Sequence, residues 1–476
     1  EETLRPRRVG IVGVSERMNL GRAILRNVLA AGFPPEDVTV VKEGVAEIDG
    51  VRCVADVGSL GRVDLLVVAV GAAGVPALVD QVIAAGAAGS IVLIPGGLGE
   101  REGSEEMAEQ IAASLRAAPH PRPVVNGPNC MGIRSVPGRC DTTFIPTHKL
   151  APPGRSGKHP VALISQSGAF AIARHDRLAW LDPAYLITVG NQLDLTVGDY
   201  LDHLADDPDV KVAACYVEGF RPGDGLRWAG AAARMRSRGG TVVAYRAGRT
   251  AAGSDAAAGH TAAVAGDAAV FDALAAASGA LMARSLEEFE DLVRLAVLLG
   301  DRPPAGRDLG VVTNAGFEAV AAADHLGPLG LAELSAATTG AFEQLLLAER
   351  IDGVVGSRNP LVLTPNCPAE AYAGAAAAVL GDPGVDVGLV GCVPLTPALH
   401  TLPAGDGHDE DLADPVSLAS RLVDLWGRTT EPWVVVLDAG APYDPMAVML
   451  EEAGIPVFRT ADRALRALGA WVAGSL

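Results

Sequence analysis

Short apolar runs alternate with helix-period segments along the whole chain, which predicts repeated βαβ units and parallel sheets. In the first stretch, strands are expected at 8–14, 38–42, 63–70, 90–95 and 123–125. Helices at 21–31, 75–85 and 105–117 separate them. That is one nucleotide-binding-sized Rossmann-like domain, assigned to residues 1–146. Pro146, Pro152, Pro153, Gly154 and Gly157 mark its end. A second unit, 155–302, carries strands at 159–164, 185–188, 210–217 and 241–245, with helices at 169–180, 197–205 and 225–238. An Ala-rich stretch at 256–283 runs into an acidic helix at 286–299, and Pro303-Pro304-Ala305-Gly306 reads as a second linker. The third unit, 306–476, has strands at 309–313, 385–390 and 433–437 and helices at 318–326, 368–380, 417–426 and 445–453. The acidic, Gly-rich segment 403–414 reads as an exposed loop. The expected architecture is three α/β domains in tandem, the first Rossmann-like.

Composition narrows the function. The 476 residues are 49% hydrophobic with few aromatics (4%), which suits close helix-on-sheet packing. Net charge is −19, so a nucleic-acid scaffold or polybasic membrane binder, both needing a positive field, is disfavoured. Six scattered cysteines with no C-x-x-C fit neither a zinc cluster nor a disulfide framework, and no metal site is expected. No uninterrupted apolar run is long enough for a membrane span, and the first residues lack a signal-peptide pattern. A cytoplasmic protein is expected.

Four stretches carry chemistry. Gly10-Ile11-Val12-Gly13-Val14-Ser15 followed by Asn19-Leu20-Gly21 is a strand, a Gly turn and a helix start, the geometry that aims backbone N–H groups at a phosphate. Lys42 ends the next strand where a dehydrogenase carries an acidic ribose grip. A cation there fits a phosphorylated ribose, as in NADP or coenzyme A. The spacing lacks the dinucleotide fingerprint, which disfavours a Rossmann dehydrogenase. A turn without a ligand is the bland alternative. Asn126-Gly127-Pro128-Asn129-Cys130-Met131-Gly132 offers an amide that can donate and accept at a ligand. Nothing nearby activates Cys130, which reads as a small buried hydrophobe.

Leu163-Ile164-Ser165-Gln166-Ser167-Gly168-Ala169-Phe170 is the strongest local signal. A strand ends, hydroxyls flank a glutamine, and a glycine opens a helix, which makes an anion site. The bland alternative is an N-cap serine; a hydrolase nucleophile would need G-x-S-x-G. Finally, His260 sits among small residues, just before an expected helix, as a histidine on a mobile loop would. Glu218, ending the strand at 210–217, is placed to hold its other ring nitrogen.

Taken together and in this order, V-G-I-V-G-V-S, G-P-N-C-M-G, L-I-S-Q-S-G-A-F, V-G-N-Q-L-D-L-T-V-G-D-Y-L, Y-V-E-G-F, G-R-T-A-A-G and G-H-T-A-A-V-A-G resemble the α subunit of the nucleoside-diphosphate-forming (ADP-forming) acyl-CoA synthetases, relatives of succinyl-CoA synthetase. The resemblance covers nearly the whole chain and implies an α/β fold: an N-terminal Rossmann-like CoA-binding domain followed by two flavodoxin-like parallel-sheet domains. It implies an acid–thiol ligase that interconverts acyl-CoA, phosphate and ADP with carboxylate, CoA and ATP through an acyl phosphate and a phosphohistidine. His260 resembles the phosphorylated histidine and Glu218 its orienting glutamate. Ser165, Gln166, Ser167 and Gly168 match the phosphate cradle. Asn129, Asn191 and Gln192 would lie near the acyl carbonyl, with Asp194 as support. Gly13, Ser15, Asn19, Gly21 and Lys42 would hold CoA, and Gly71, Pro95, Gly96 and Gly97 would line its path.

The pattern departs from the family at Pro95-Gly96-Gly97-Leu98, at Val40-Val41-Lys42, at Asn314-Ala315-Gly316-Phe317-Glu318, and at Asn359-Pro360-Leu361-Val362, where an aspartate is lost. None of the three expected domains supplies an ATP-grasp site. The resemblance therefore implies a separate ATP-grasp β subunit holding ATP or ADP with Mg²⁺, in a hetero-oligomer such as α2β2. The substrates would be a small carboxylic acid and CoA. The rival reading is a non-catalytic CoA- or acyl-CoA-binding regulatory or scaffold module that kept the fold.

Overall fold

The structure, a computed structural model, describes residues 1–100, 103–152, 154, 158–260, 268–350 and 356–476, with the backbone alone at 257–260. By contact density the chain divides into two compact units, Glu1–Glu290 and Asp291–Leu476. The division falls inside the helix Leu286–Leu298 rather than at the Pro-Pro linker. Glu290 pairs with Arg174 and Arg177 of the first unit, at 2.9 Å each. Asp291 is gripped in the second unit by Arg463 at 2.8 Å.

The first unit holds two sheets. One runs Glu47–Ile48, Val51–Val54, Val38–Val41, Val9–Val12, Val63–Val68, Ala88–Leu93 and Val124–Asn126, parallel except for the small hairpin at its edge. The central strands Val9–Val12 and Val63–Val68 are mostly apolar and almost wholly buried, because helices cover both faces of the sheet. The chain leaves Val9–Val12 for Val38–Val41 on one side and then crosses to Val63–Val68 on the other. Such a switch point opens a crevice at the carboxyl ends of the strands.

The second sheet runs Leu281–Ala283, Thr241–Arg246, Val212–Val217, His159–Ser165, Pro183–Thr188, Ile133–Ser135 and Cys140–Asp141. His159–Ser165 lies between Pro183–Thr188 and Val212–Val217, which makes a second switch point at Ser165. Ile133–Ser135 joins this sheet antiparallel to Pro183–Thr188, although the sequence reading gave that segment to the first domain. The reason is the tight hairpin with Cys140–Asp141, too short and too polar to read as strand from pattern. One apolar core runs through both layers, from Val9, Ile24 and Val67 to Ala162, Ile187 and Trp228.

The Ala-rich stretch, read as one run over 256–283, is broken into helices Ala251–His260 and Ala268–Ser278 and the strand Leu281–Ala283. Ala favours helix everywhere, so composition cannot show where one helix stops.

The second unit is a parallel sheet in the order Gly330–Leu331, Asp308–Thr313, Val387–Cys392, Trp433–Leu437, Val457–Phe458, with Leu361–Val362 beside the end of Asp308–Thr313. Helices Ala336–Ala348 and Ala461–Ser475 also belong to it, neither of which the sequence reading placed. Among the described residues no helix is long and apolar enough to cross a membrane.

Candidate functional site

At the first switch point, Asn19 builds the turn. Its Oδ1 accepts from the N–H of Arg22 (2.9 Å) and Ser15 (3.3 Å), and its Nδ2 donates to the Gly13 carbonyl (2.7 Å). Gly21 must be glycine, because a Cβ there would overlap the Gly13 carbonyl and lie 2.7 Å from its carbon. Gly13 itself has φ +98°. Arg22 and Arg26 both reach Asp49 (2.5 and 3.1 Å), and the Arg22 contact first of all lowers that carboxyl to about 2. Lys42 follows Val38–Val41, half-buried, its N–H on the Val54 carbonyl at 2.8 Å.

A cleft of about 470 Å³ opens beside this turn. Of the expected CoA residues, Asn19, Gly71, Pro95 and Gly96 line it, and Asn129 joins them. Gly13, Ser15, Gly21 and Lys42 are not among its lining; the first three shape or abut the turn. Leu20, Ile94, Met131 and Phe144 give the cleft an apolar wall.

Asn129 sits in the left-handed region (φ +56°), its N–H on the Pro95 carbonyl at 2.9 Å. Its Nδ2 reaches Asn191 Oδ1 at 3.4 Å, and Asn191 Nδ2 donates to Glu100 Oε2 at 2.9 Å. Glu100 also accepts from the N–H of Gly97 (2.5 Å) and Leu98 (2.9 Å), so the Gly97 N–H faces this carboxylate. Sequence reasoning missed Glu100; a carboxylate shortly after a Gly-Gly pair was the only signal. Cys130 is 2% exposed, donates to the Leu93 carbonyl (3.3 Å), and burial pushes its thiol up to about 11. That is an inert thiol, not a nucleophile.

Gln192 and Asp194 belong to the framework instead of facing the cleft. Gln192 uses both ends of its amide, on the Val197 N–H (3.0 Å) and the Gly219 carbonyl (3.2 Å). Asp194 clamps Arg122 (2.7 and 2.9 Å) and the Val125 N–H (2.9 Å). Gln192 was read beside the acyl carbonyl and Asp194 as support; their hydrogen bonds hold the 188–195 segment against its neighbours.

The second switch point assembles the Ser-Gln-Ser turn and Glu218. Ser165 donates to the Ser167 carbonyl at 2.7 Å, so its hydroxyl serves the turn. Ser167 caps helix Gly168–Arg177 by accepting from the Phe170 N–H at 3.3 Å. Gln166 is 2% exposed; its Oε1 accepts from the Gly219 N–H (3.0 Å) and the Glu218 N–H, tying the turn to the end of Val212–Val217. Among the described residues its Nε2 has no hydrogen-bond partner. A buried amide donor left unpaired beside a helix start costs roughly 1–3 kcal/mol, which a bound anion relieves. The arrangement fits a phosphate.

Glu218 is buried and interacts with the Tyr216 phenol, which is raised by burial first and then by this carboxylate. Tyr216 stacks on Phe170 with ring centroids 4.2 Å apart. His260 was expected on a loop before a helix, but its backbone belongs to the helix Ala251–His260. Its imidazole, and residues 261–267 after it, lie outside the described residues.

Two crevices within one compact unit, one beside a Gly turn and one at a phosphate-fitting helix start, define an α/β protein of the CoA-ligase class. Residues 7–135 match the CoA binding domain and 158–296 the succinyl-CoA ligase like flavodoxin domain. The chain is 28% identical over 460 residues to the α subunit of acetate–CoA ligase [ADP-forming] II from Pyrococcus furiosus, covering 95% of this chain and 93% of that one. It is 31% identical over 339 residues to trans-feruloyl-CoA synthase FCS1 from an unknown prokaryotic organism, covering 70% of this chain and 46% of that one. Its fold is similar to dinucleotide forming acetyl-coenzyme A synthetase 1 of Ca. Korarchaeum cryptofilum, solved in complex with phosphate and ADP (TM-score 0.85, 28% identity, 99% of this chain and 96% of that one). The chain belongs to the ADP-forming acyl-CoA synthetases of the succinyl-CoA synthetase superfamily and is of their α-subunit type.

Proposed function

We propose that this chain is the CoA- and phosphate-handling α subunit of an ADP-forming acyl-CoA ligase, working through a phosphohistidine at His260. The observation that carries the reading is the buried Gln166 Nε2, unpaired among the described residues, at the start of helix Gly168–Arg177, in the same compact unit as the cleft. In the breakdown direction, a phosphate oxygen attacks the acyl carbonyl carbon, the C–S bond breaks, and CoA leaves as a thiolate that takes up a proton. The acyl phosphate then passes its phosphoryl group to a ring nitrogen of His260: a P–N bond forms, the P–O bond to the acyl group breaks, and the carboxylate departs. Glu218 holds the other ring nitrogen and favours the charged ring. The phosphoryl group moves on to ADP, held with Mg²⁺ by a separate ATP-grasp subunit, as P–N gives way to P–O.

Asn129 and Asn191 flank the acyl carbonyl. The Gly13 turn, Asn19 and Lys42 face the nucleotide end of CoA, and Gly71, Pro95 and Gly96 the pantetheine. The natural acid is a small carboxylic acid. With the partner subunit and γ-labelled ATP, the α chain is expected to take up label that survives base and is lost in acid. The variant His260→Gln is expected to take up none; label retained there overturns the assignment.

A further inference from the structure

One side chain borders both crevices. Met131 lines the apolar wall of the cleft and also packs on Gly168, the first residue of the cradle helix. A Cβ on Gly168 would overlap Met131 Cγ and lie 2.9 Å from its sulfur, so the absence of a side chain at 168 is what makes room for the thioether. The backbone at 131 is pinned: its N–H donates to Thr188 Oγ1 at 2.9 Å, and that hydroxyl donates to the Gly132 carbonyl at 2.6 Å. The preceding Cys130 is fixed on Leu93. The side chain itself remains partly exposed, with Phe144, Leu20 and Ile94 on the same wall.

Any thioester whose carbonyl carbon comes within reach of a phosphate at this helix start must carry its acyl group past the residue that spans the two crevices. We infer that Met131 sets the size of the acyl group this chain accepts, its thioether forming the wall between thioester cleft and phosphate cradle. This rests on the ligase reading above. The selected group is apolar, because Leu20, Ile94 and Phe144 share this wall with Met131. An unbranched, three-torsion side chain on a rigid backbone suits the role, since it yields to small differences and resists large ones. Discrimination at such a wall amounts to about 10–200-fold per methylene.

The experiment is calorimetric titration of the full chain with CoA, acetyl-CoA, butyryl-CoA and benzoyl-CoA. Met131→Ala is expected to tighten butyryl- and benzoyl-CoA relative to acetyl-CoA by at least about tenfold. Met131→Phe is expected to shift the same ratio the other way, so the test stands if one variant fails to fold. Gly168→Ala, which pushes Met131 into the cleft, is expected to weaken the longer acyl groups, and adding Met131→Ala to restore them. Intact CoA binding with an unchanged acyl ratio in both Met131 variants overturns this inference alone. Failure of the unaltered chain to bind CoA overturns the ligase reading and this inference with it.

Discussion

Glu318 provides a quantitative test of the second unit. It stands in the first turn of helix Gly316–Asp324, directly after strand Asp308–Thr313, and is 1% exposed. Thr313 donates to its Oε2, whereas its Oε1 has no partner among the described residues. Gly391 faces it across the sheet, where a Cβ would overlap the carboxylate. Burial, and then the charge of Asp438, push this carboxyl from 4.5 to about 7 against the opposing Thr313 hydrogen bond. At about 1.4 kcal/mol per pH unit, the displacement corresponds to about 3 kcal/mol.

The folded state binds the proton more tightly than the unfolded one, so stability falls as pH rises from about 4.5 to about 7 and is level above that. Glu318→Gln removes the titration and keeps an acceptor for Thr313. Urea unfolding of the second unit, followed at closely spaced pH values, is the assay. The unaltered chain minus the variant is expected to lose about 3 kcal/mol across that window. Parallel pH profiles would refute a neutral buried Glu318.

Other consequences are as direct. Gln166→Glu keeps an acceptor for the Glu218 and Gly219 N–H groups but replaces the unpaired donor with charge, so the fold should survive. Half-saturation by phosphate should rise at least about tenfold, roughly 1.4 kcal/mol; unchanged phosphate dependence counts against the cradle. Gly21→Ala forces the helix start away from Gly13, with an expected cost of about 1–3 kcal/mol and weaker CoA binding, measured by melting and titration. Cys53 is the only thiol not fully buried, so alkylation of the native protein at pH 8 should label it and spare Cys130. Rapid labelling of Cys130 that tracked activity loss would make it a nucleophile after all.

Much of this protein could be read without coordinates. The strands at Val9–Val12, Val63–Val68, Val212–Val217 and Trp433–Leu437 are short, mostly apolar runs, and such runs are local properties. The Ser165–Gly168 cradle was legible for the same reason, because a strand end, a capping hydroxyl and a glycine are contiguous in sequence. What the chain alone left open is where distant segments meet. Gln192 and Asn191 are neighbours, yet one amide is locked on Val197 and Gly219 while the other faces Glu100, a split decided by backbone turns and not by residue type. Ile133–Ser135 falls within the range assigned to the first domain but pairs into the second sheet, because its partner strand lies some fifty residues away. Met131 likewise looks like an ordinary core residue until Gly168 is laid against it. Hydrophobic period and turn chemistry are written residue by residue; the contact that joins two crevices exists only when two sheets share one core.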